Sequence, residues 1–237
     1  MRLRSLCLYA SLLLLAAPAR AERLVAADEP DFVQTPKQLA VKILRGSGPG
    51  TQFIGSGFAW VSGGRAYAIT NFHVASKGLP AEPAPSGLYV GFAAPVHWHA
   101  ASRMLGVPGA DLAVIETDVI TPNESPYTLG EAAGGEAVYS ISYDQEAFQQ
   151  ASPMVFKGTV IAIVGALFPS SILSLTRPYP PDAVKAYIID GSDCVFGASG
   201  SMLLNNKGEL IAYNAGRLES GLCVAVAIDE VTRALAR

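Results

Sequence analysis

The chain has 237 residues, 50% of them hydrophobic and 16% charged, a balance too apolar and too weakly charged for a disordered protein. With a net charge of −3 it has no electrostatic reason to seek nucleic acid or an anionic lipid surface. The mean hydropathy of +0.31 looks membrane-like, but the single long apolar run, Ser5 to Ala17, sits at the extreme N-terminus.

That run is about 13 residues long, short of the ~20 that cross a bilayer. Arg2 and Arg4 precede it and Ala19-Arg20-Ala21 follows it. A basic start, a leucine-rich middle and a small-x-small end describe a secretory signal peptide over residues 1–21, cleaved before Glu22. Its removal takes away three arginines and no acid, so the net charge moves from −3 to −6 over the remaining 216 residues. The expected location is secreted or periplasmic, with no nucleic-acid partner and no stable membrane insertion after cleavage. Cys7 leaves with the signal. Cys194 and Cys223 remain in an export route where disulfides persist, so one bridge is expected, with two buried free thiols as the alternative.

Residues 22–38 are polar and contain proline, which suits an N-terminal arm, either flexible or removable. From 39 to 120 the apolar stretches are short, glycine-punctuated and rich in β-branched and aromatic residues. They are Leu39 to Leu44, Gly57 to Val61, Ala66 to Thr70, Leu88 to Phe92, Val96 to Leu105 and Leu112 to Glu116. Such runs read as strands of a sandwich or barrel. Residues 121–136, with Pro, Asn, Ser and Gly and little periodicity, read as a linker.

A second strand set occupies 137–237: Ala137 to Tyr143, Met154 to Val164, Ala186 to Ile189, Ser201 to Leu204, Glu209 to Tyr213 and Cys223 to Ile228. Asn205-Asn206-Lys207-Gly208 supplies the residues of a tight turn, so the strands around it form a hairpin. Asp229 is expected to cap a short terminal helix. Gly165 to Lys185, with four prolines, reads as a long surface loop. The fold class is therefore all-β, in two units of similar size closed by a C-terminal helix.

Three segments carry chemistry. Gly197-Ala198-Ser199-Gly200-Ser201 places a serine on a glycine-flanked turn just before a strand, where the bare N–H groups of Gly197 and Ser199 can converge as an oxyanion hole. Thr70-Asn71-Phe72-His73-Val74-Ala75 puts a histidine at the end of an apolar strand, behind Gly55-Ser56-Gly57-Phe58. Ala110-Asp111-Leu112-Ala113-Val114-Ile115 puts an aspartate at the mouth of a strongly apolar strand. A carboxylate entering a core needs a partner, and a histidine that forms imidazolium is a suitable one.

Taken together, these segments resemble the trypsin-like serine peptidases with the chymotrypsin double β-barrel, and most of all the HtrA/Deg-like protease domain. The resemblance runs from about Leu39 to Ala236. It implies Ser199 as nucleophile, His73 as general base and Asp111 as the group that fixes the histidine tautomer. It also implies that Asn214, Ala215 and Gly216 pair with substrate backbone by β-augmentation. Cys194 and Cys223 resemble the disulfide beside the specificity pocket.

Asp193 stands six residues before Ser199, where trypsins carry the acid that selects Arg or Lys. An extra residue between Cys194 and Gly197 disturbs that register, and Phe196 is the alternative determinant, favouring small apolar side chains. Ser201 replaces the second glycine usual after the serine. Ala198 replaces the usual acid or asparagine, so no zymogen switch is implied. No PDZ-like segment follows Ala236, so the oligomeric machinery of HtrA proteins is not expected.

The expected activity is peptide-bond hydrolysis of protein or peptide substrates through an acyl-enzyme, without metal or cofactor. The alternative is a catalytically inactive protein of the same fold that binds extended peptides. His97 and His99 alternate along one strand, a spacing that can hold a metal, but no third ligand follows, so both are expected to be exposed strand positions. Asn123-Glu124-Ser125 is a glycosylation sequon, relevant in a eukaryotic host.

Overall fold

The computed structural model describes residues 22–46, 52–76, 87–92, 97–120, 127–143, 152–167, 174–176, 183–191, 194 and 196–236. The signal segment, the sequon and Asp193 lie outside the described residues.

The arm packs against the C-terminal unit. Glu22–Arg23 (β1) pairs with Lys157 and Phe156, and the Leu24 amide donates to the Val155 carbonyl at 2.9 Å. A short helix, Gln34–Leu39 (α1), follows. Phe32 meets Tyr139 edge-on, with ring centroids 5.2 Å apart, and Val33 is fully buried. Lys37 and Glu29 close the arm with a 2.7 Å ion pair.

The N-terminal unit is one antiparallel sheet. Its strands are Ala40–Arg45 (β2), Gln52–Ser62 (β3), Arg65–Asn71 (β4), Leu88–Phe92 (β5), His97–Ala100 (β6), Arg103–Val107 (β7) and Leu112–Ile120 (β8). They lie side by side in the order β6-β5-β2-β3-β4-β8-β7. A five-residue helix, Phe72–Ser76 (α2), follows β4 directly.

The single strand expected over Val96 to Leu105 is two strands. The chain changes partner at Ala101 and Ser102: the Ala101 amide bonds Leu88 O, and the Ser102 amide bonds Glu116 O. A continuous apolar reading cannot register such a corner, because the corner is set by which strand each amide pairs with and not by the character of the side chains.

The C-terminal unit is a closed ring. It comprises Ala137–Ser142 (β9), Met154–Leu167 (β10), Val184–Asp190 (β12), Met202–Asn205 (β13), Leu210–Arg217 (β14) and Cys223–Ala227 (β15), paired in the order β9-β10-β12-β15-β14-β13-β9. Closing the ring removes most of the open sheet edge, and β1 pairs with the first half of β10 outside the ring. Ser174–Thr176 (β11) adds to the far end of β10.

The surface loop expected from Gly165 is thus corrected at both ends. β10 continues to Leu167, β11 pairs with it, and β12 starts at Val184, because ladder pairing carries the strand past a glycine that reads as a turn.

The hairpin at Asn205–Gly208 forms, with Gly208 at φ 80 and the Asn205 Oδ1 accepting from the Lys207 and Glu209 amides. The terminal helix Asp229–Leu235 (α3) has Ile228, not Asp229, at its cap position, and no side-chain cap bond. Its acids stand inside the first turn, where their charge interacts favourably with the positive end of the helix dipole.

One buried cluster belongs to the N-terminal unit (Val41, Ile43, Ala68, Val90, Ile115) and another to the C-terminal unit (Val138, Val160, Leu203, Ile211, Ala225). The largest joins both, with Phe58, Ile69, Leu112 and Val114 against Ile141, Met202, Tyr213 and Val226. On β4, Ala68 faces the first cluster and Ile69 the joint one. Strands buried on both faces explain why the sequence runs are continuous rather than alternating. Residues 127–136 sit in the joint. The Tyr127 hydroxyl donates to Ala59 O at 3.0 Å, and the Leu210 amide bonds Thr128 O at 2.8 Å. Among the described residues no helix is long and apolar enough to cross a membrane.

Candidate active site

His73 is the second residue of α2, one step past the end of β4. Asp111 follows the 3-10 turn Pro108–Ala110 and has φ 48 and ψ 40, a left-handed conformation that aspartate tolerates better than most residues. The turn is held by Asp111 N to Pro108 O at 3.0 Å, and the Asp111 carbonyl accepts from the Phe72 amide at 2.9 Å and Asn71 Nδ2 at 3.2 Å.

So held, the carboxylate grips His73 twice. Oδ1 accepts the His73 backbone N–H at 2.9 Å, and Oδ2 lies 2.7 Å from Nδ1. The Asp111 side chain is 10% exposed and the histidine side chain 50%. One end of the pair is buried in protein and the other faces solvent.

The backbone of Ser199 comes close to the helix that carries His73, at the joint between the units. A Cβ added to Gly55 would lie 2.8 Å from Val74 Cγ1 and 3.3 Å from Ser199 O, so the serine's backbone and the neighbour of His73 flank one glycine. Ser199 O accepts the Ser56 amide at 3.0 Å. Gly200, at φ 85, leaves no room for a side chain, since a Cβ there would sit 2.4 Å from both Ser56 O and Thr70 Oγ1.

Ser56 reaches the turn a second way. Its buried Oγ accepts the Tyr143 amide at 2.9 Å, and Gly197 O stands 2.8 Å away as a proton acceptor. Thr70 Oγ1 donates to Ser56 O at 2.7 Å. Gly197 itself has φ 101, and an added Cβ would meet the Phe53 ring at 2.6 Å. Burial pushes the Tyr143 phenol up to about 12 and pulls down the Lys42 ammonium, which stands 4.7 Å from the Tyr143 ring centroid.

Ser201 is fully buried, and its hydroxyl takes the Asn214 Nδ2 at 2.8 Å, beside Ser140. Asn214 is therefore an internal brace. Its side chain bonds Ser140 and Ser201, and its main chain bonds Ser201 O and the Gly200 amide, each at 2.9 Å. Ala215 falls in a bulge opposite β15, and a Cβ on Gly216 would meet open space.

Phe196 is 68% exposed, standing in solvent next to Gly197. Cys194 and Cys223 form the expected disulfide, with Cα atoms 5.6 Å apart. His99 is not a plainly exposed position. Its ring is half-buried and Nδ1 pairs with Asp118 Oδ1 at 2.9 Å, because the curl of the sheet brings β6 over β8. Trp98, 48% exposed, lies across Gly91 of β5.

By sequence Ser56 belongs to a glycine-bounded strand and Tyr213 ends the strand Glu209 to Tyr213, and neither stands out as a site residue. The signal available was polarity: each is a hydroxyl in an otherwise apolar or glycine run, and a buried hydroxyl needs a partner.

The profile of the trypsin-like peptidase domain matches residues 55–212, the span that holds His73, Asp111 and Ser199. The chain belongs to this family. Its fold is the chymotrypsin-like double barrel, with the C-terminal barrel closed and the N-terminal one a half-barrel.

Among solved structures, the MamO protease domain from Magnetospirillum magneticum in its apo form is similar at TM-score 0.64 and 19% identity, over 84% of this chain and 97% of that one. The Rv3671c protease from M. tuberculosis in its active form matches at TM-score 0.66 and 18% identity, over 93% and 89%. The HtrA-type protease AlgW, solved with a decapeptide, matches at TM-score 0.64 and 17% identity, over 86% and 65%. No curated protein matches this trypsin-like chain.

Proposed function

We propose that this protein is an exported serine endopeptidase that hydrolyses peptide bonds through an acyl-enzyme. The supporting observation is the double grip of Asp111 on His73, which fixes the ring and occupies Nδ1. Nε2 is then the nitrogen left to take the Ser199 proton and return it to the leaving amine, while Asp111 stabilises the imidazolium between the two steps. Gly197 and Ser199 N–H groups receive the oxyanion. An extended peptide lies along Ala215 and Gly216, on the strand next to the bulge. Export follows from residues 1–21, with 39–120 and 137–237 as the two barrel units.

The test is labelling of the purified protein, residues 22–237, by a fluorophosphonate, with Ser199→Ala and His73→Ala beside it. Labelling of the wild type and its loss in both variants is the expected result, together with at least a ~10⁴-fold fall in any peptidase rate for Ser199→Ala. A folded wild type that stays unlabelled refutes the enzyme and leaves a peptide-binding protein on the same fold.

A further inference from the structure

Asp111 has a positive φ of 48, a conformation that glycine adopts freely and other residues adopt only when held. Three of its restraints are local to the N-terminal unit: Pro108 O, the Phe72 amide and Asn71. A fourth comes from the other barrel. Tyr213 on β14, fully buried, donates its hydroxyl to Ala110 O at 2.7 Å, across 103 residues of sequence. Ala110 and Asp111 share that peptide unit, so the bond acts on the turn that aims the carboxylate.

The neighbour of Tyr213 completes the arrangement. Asn214 holds the serine turn, its carbonyl taking the Gly200 amide and its own amide bonding Ser201 O. Consecutive residues of one strand therefore grip the Asp111 turn and the Ser199 turn. Burial, then the charges of Asp111 and Glu230, push the Tyr213 phenol well up, so it keeps the proton it donates.

We propose that Tyr213 is a positioning residue that sets the Asp111–His73 pair in register with Ser199 by tying the Asp111 turn to the strand that also holds Gly200 and Ser201. This rests on the roles proposed above for those three residues. Tyr213 touches no reacting atom. It acts through Ala110, and its loss lets the Asp111 turn relax while the ring and core volume stay. A misplacement of about 1 Å at such a site costs on the order of 10²-fold in rate.

The experiment compares the wild type, Tyr213→Phe and Tyr127→Phe, all as residues 22–237. Tyr127→Phe is the structural control: it also removes a hydroxyl that bonds a carbonyl across elements, at Ala59, with no link to Asp111. Two signals are read, the saturating labelling rate with a fluorophosphonate against its half-saturation concentration, and the downfield proton resonance of His73 Nδ1–H.

Tyr213→Phe is expected to shift or broaden the resonance and to lower the saturating rate about 10- to 100-fold with half-saturation unchanged. Tyr127→Phe is expected to move neither. An unchanged resonance in Tyr213→Phe, or the same change in Tyr127→Phe, overturns the proposal. Because the resonance does not depend on turnover, a wild type that fails to label but loses the resonance in Tyr213→Phe supports the positioning role while refuting the peptidase.

Discussion

Ser56→Ala tests how the two barrels jointly build the serine turn. The hydroxyl is fully buried, accepts the Tyr143 amide at 2.9 Å, and has one proton to give to Tyr143 O at 2.9 Å or Gly197 O at 2.8 Å. Alanine leaves a buried N–H without its acceptor, at about 1–3 kcal/mol, and removes one donated bond, at about 0.5–1.5 kcal/mol.

The expected loss is about 2–3 kcal/mol, read as a fall of about 5–10 °C in Tm for a chain of this size, or by urea titration at constant m. Thr70→Val is the companion variant. It removes the single bond to Ser56 O and is expected to cost about 1 kcal/mol. The Gly197 peptide also loses its anchor, so fluorophosphonate labelling of Ser56→Ala is expected to slow by more than that of Thr70→Val. A Tm for Ser56→Ala within about 1 °C of wild type refutes the reasoning, because no buried amide can then depend on that oxygen.

Gly200→Ala forces a left-handed non-glycine residue and drives a methyl to 2.4 Å from Ser56 O, so denaturation should show a loss of about 2–5 kcal/mol. Reduction of Cys194–Cys223, which closes a separation of 29 residues, should cost about 3–4 kcal/mol in urea titrations with and without reductant; an unchanged midpoint would rule out a stabilising bridge.

At high pH the buried tyrosines decide the sign. Tyr143 is raised to about 12, and burial raises Tyr127 and Tyr213 as well. A phenol whose folded value exceeds its unfolded one contributes stability that is complete below the unfolded value of ~10 and is lost as pH rises through the folded value. Lys42 and Arg45, lowered by burial, act in the opposite sense, while Lys185, raised despite its burial by its hydrogen bond to Glu131, acts with the phenols, two groups against four. Stability measured by urea titration should therefore fall between pH ~10 and ~12, and a midpoint flat across that window contradicts the burial of these phenols.

The sequence by itself determined the strand sets of both units, the hairpin at Asn205–Gly208, the Cys194–Cys223 pairing through family resemblance, and the pairing of Asp111 with His73. Each is written in local chemistry: short apolar runs, turn residues with positive φ, and a polar residue at the mouth of an apolar strand. Tertiary structure alone decided what holds them. The corner at Ala101 and Ser102, the extension of β10 past Gly165 and the docking of residues 22–38 all depend on which strand lies alongside. Ser56 and Tyr213 carry bonds that span 141 and 103 residues to Gly197 and Ala110. A buried hydroxyl announces that it needs a partner, but the partner is chosen by how two barrels close on each other, and no spacing along the chain encodes that.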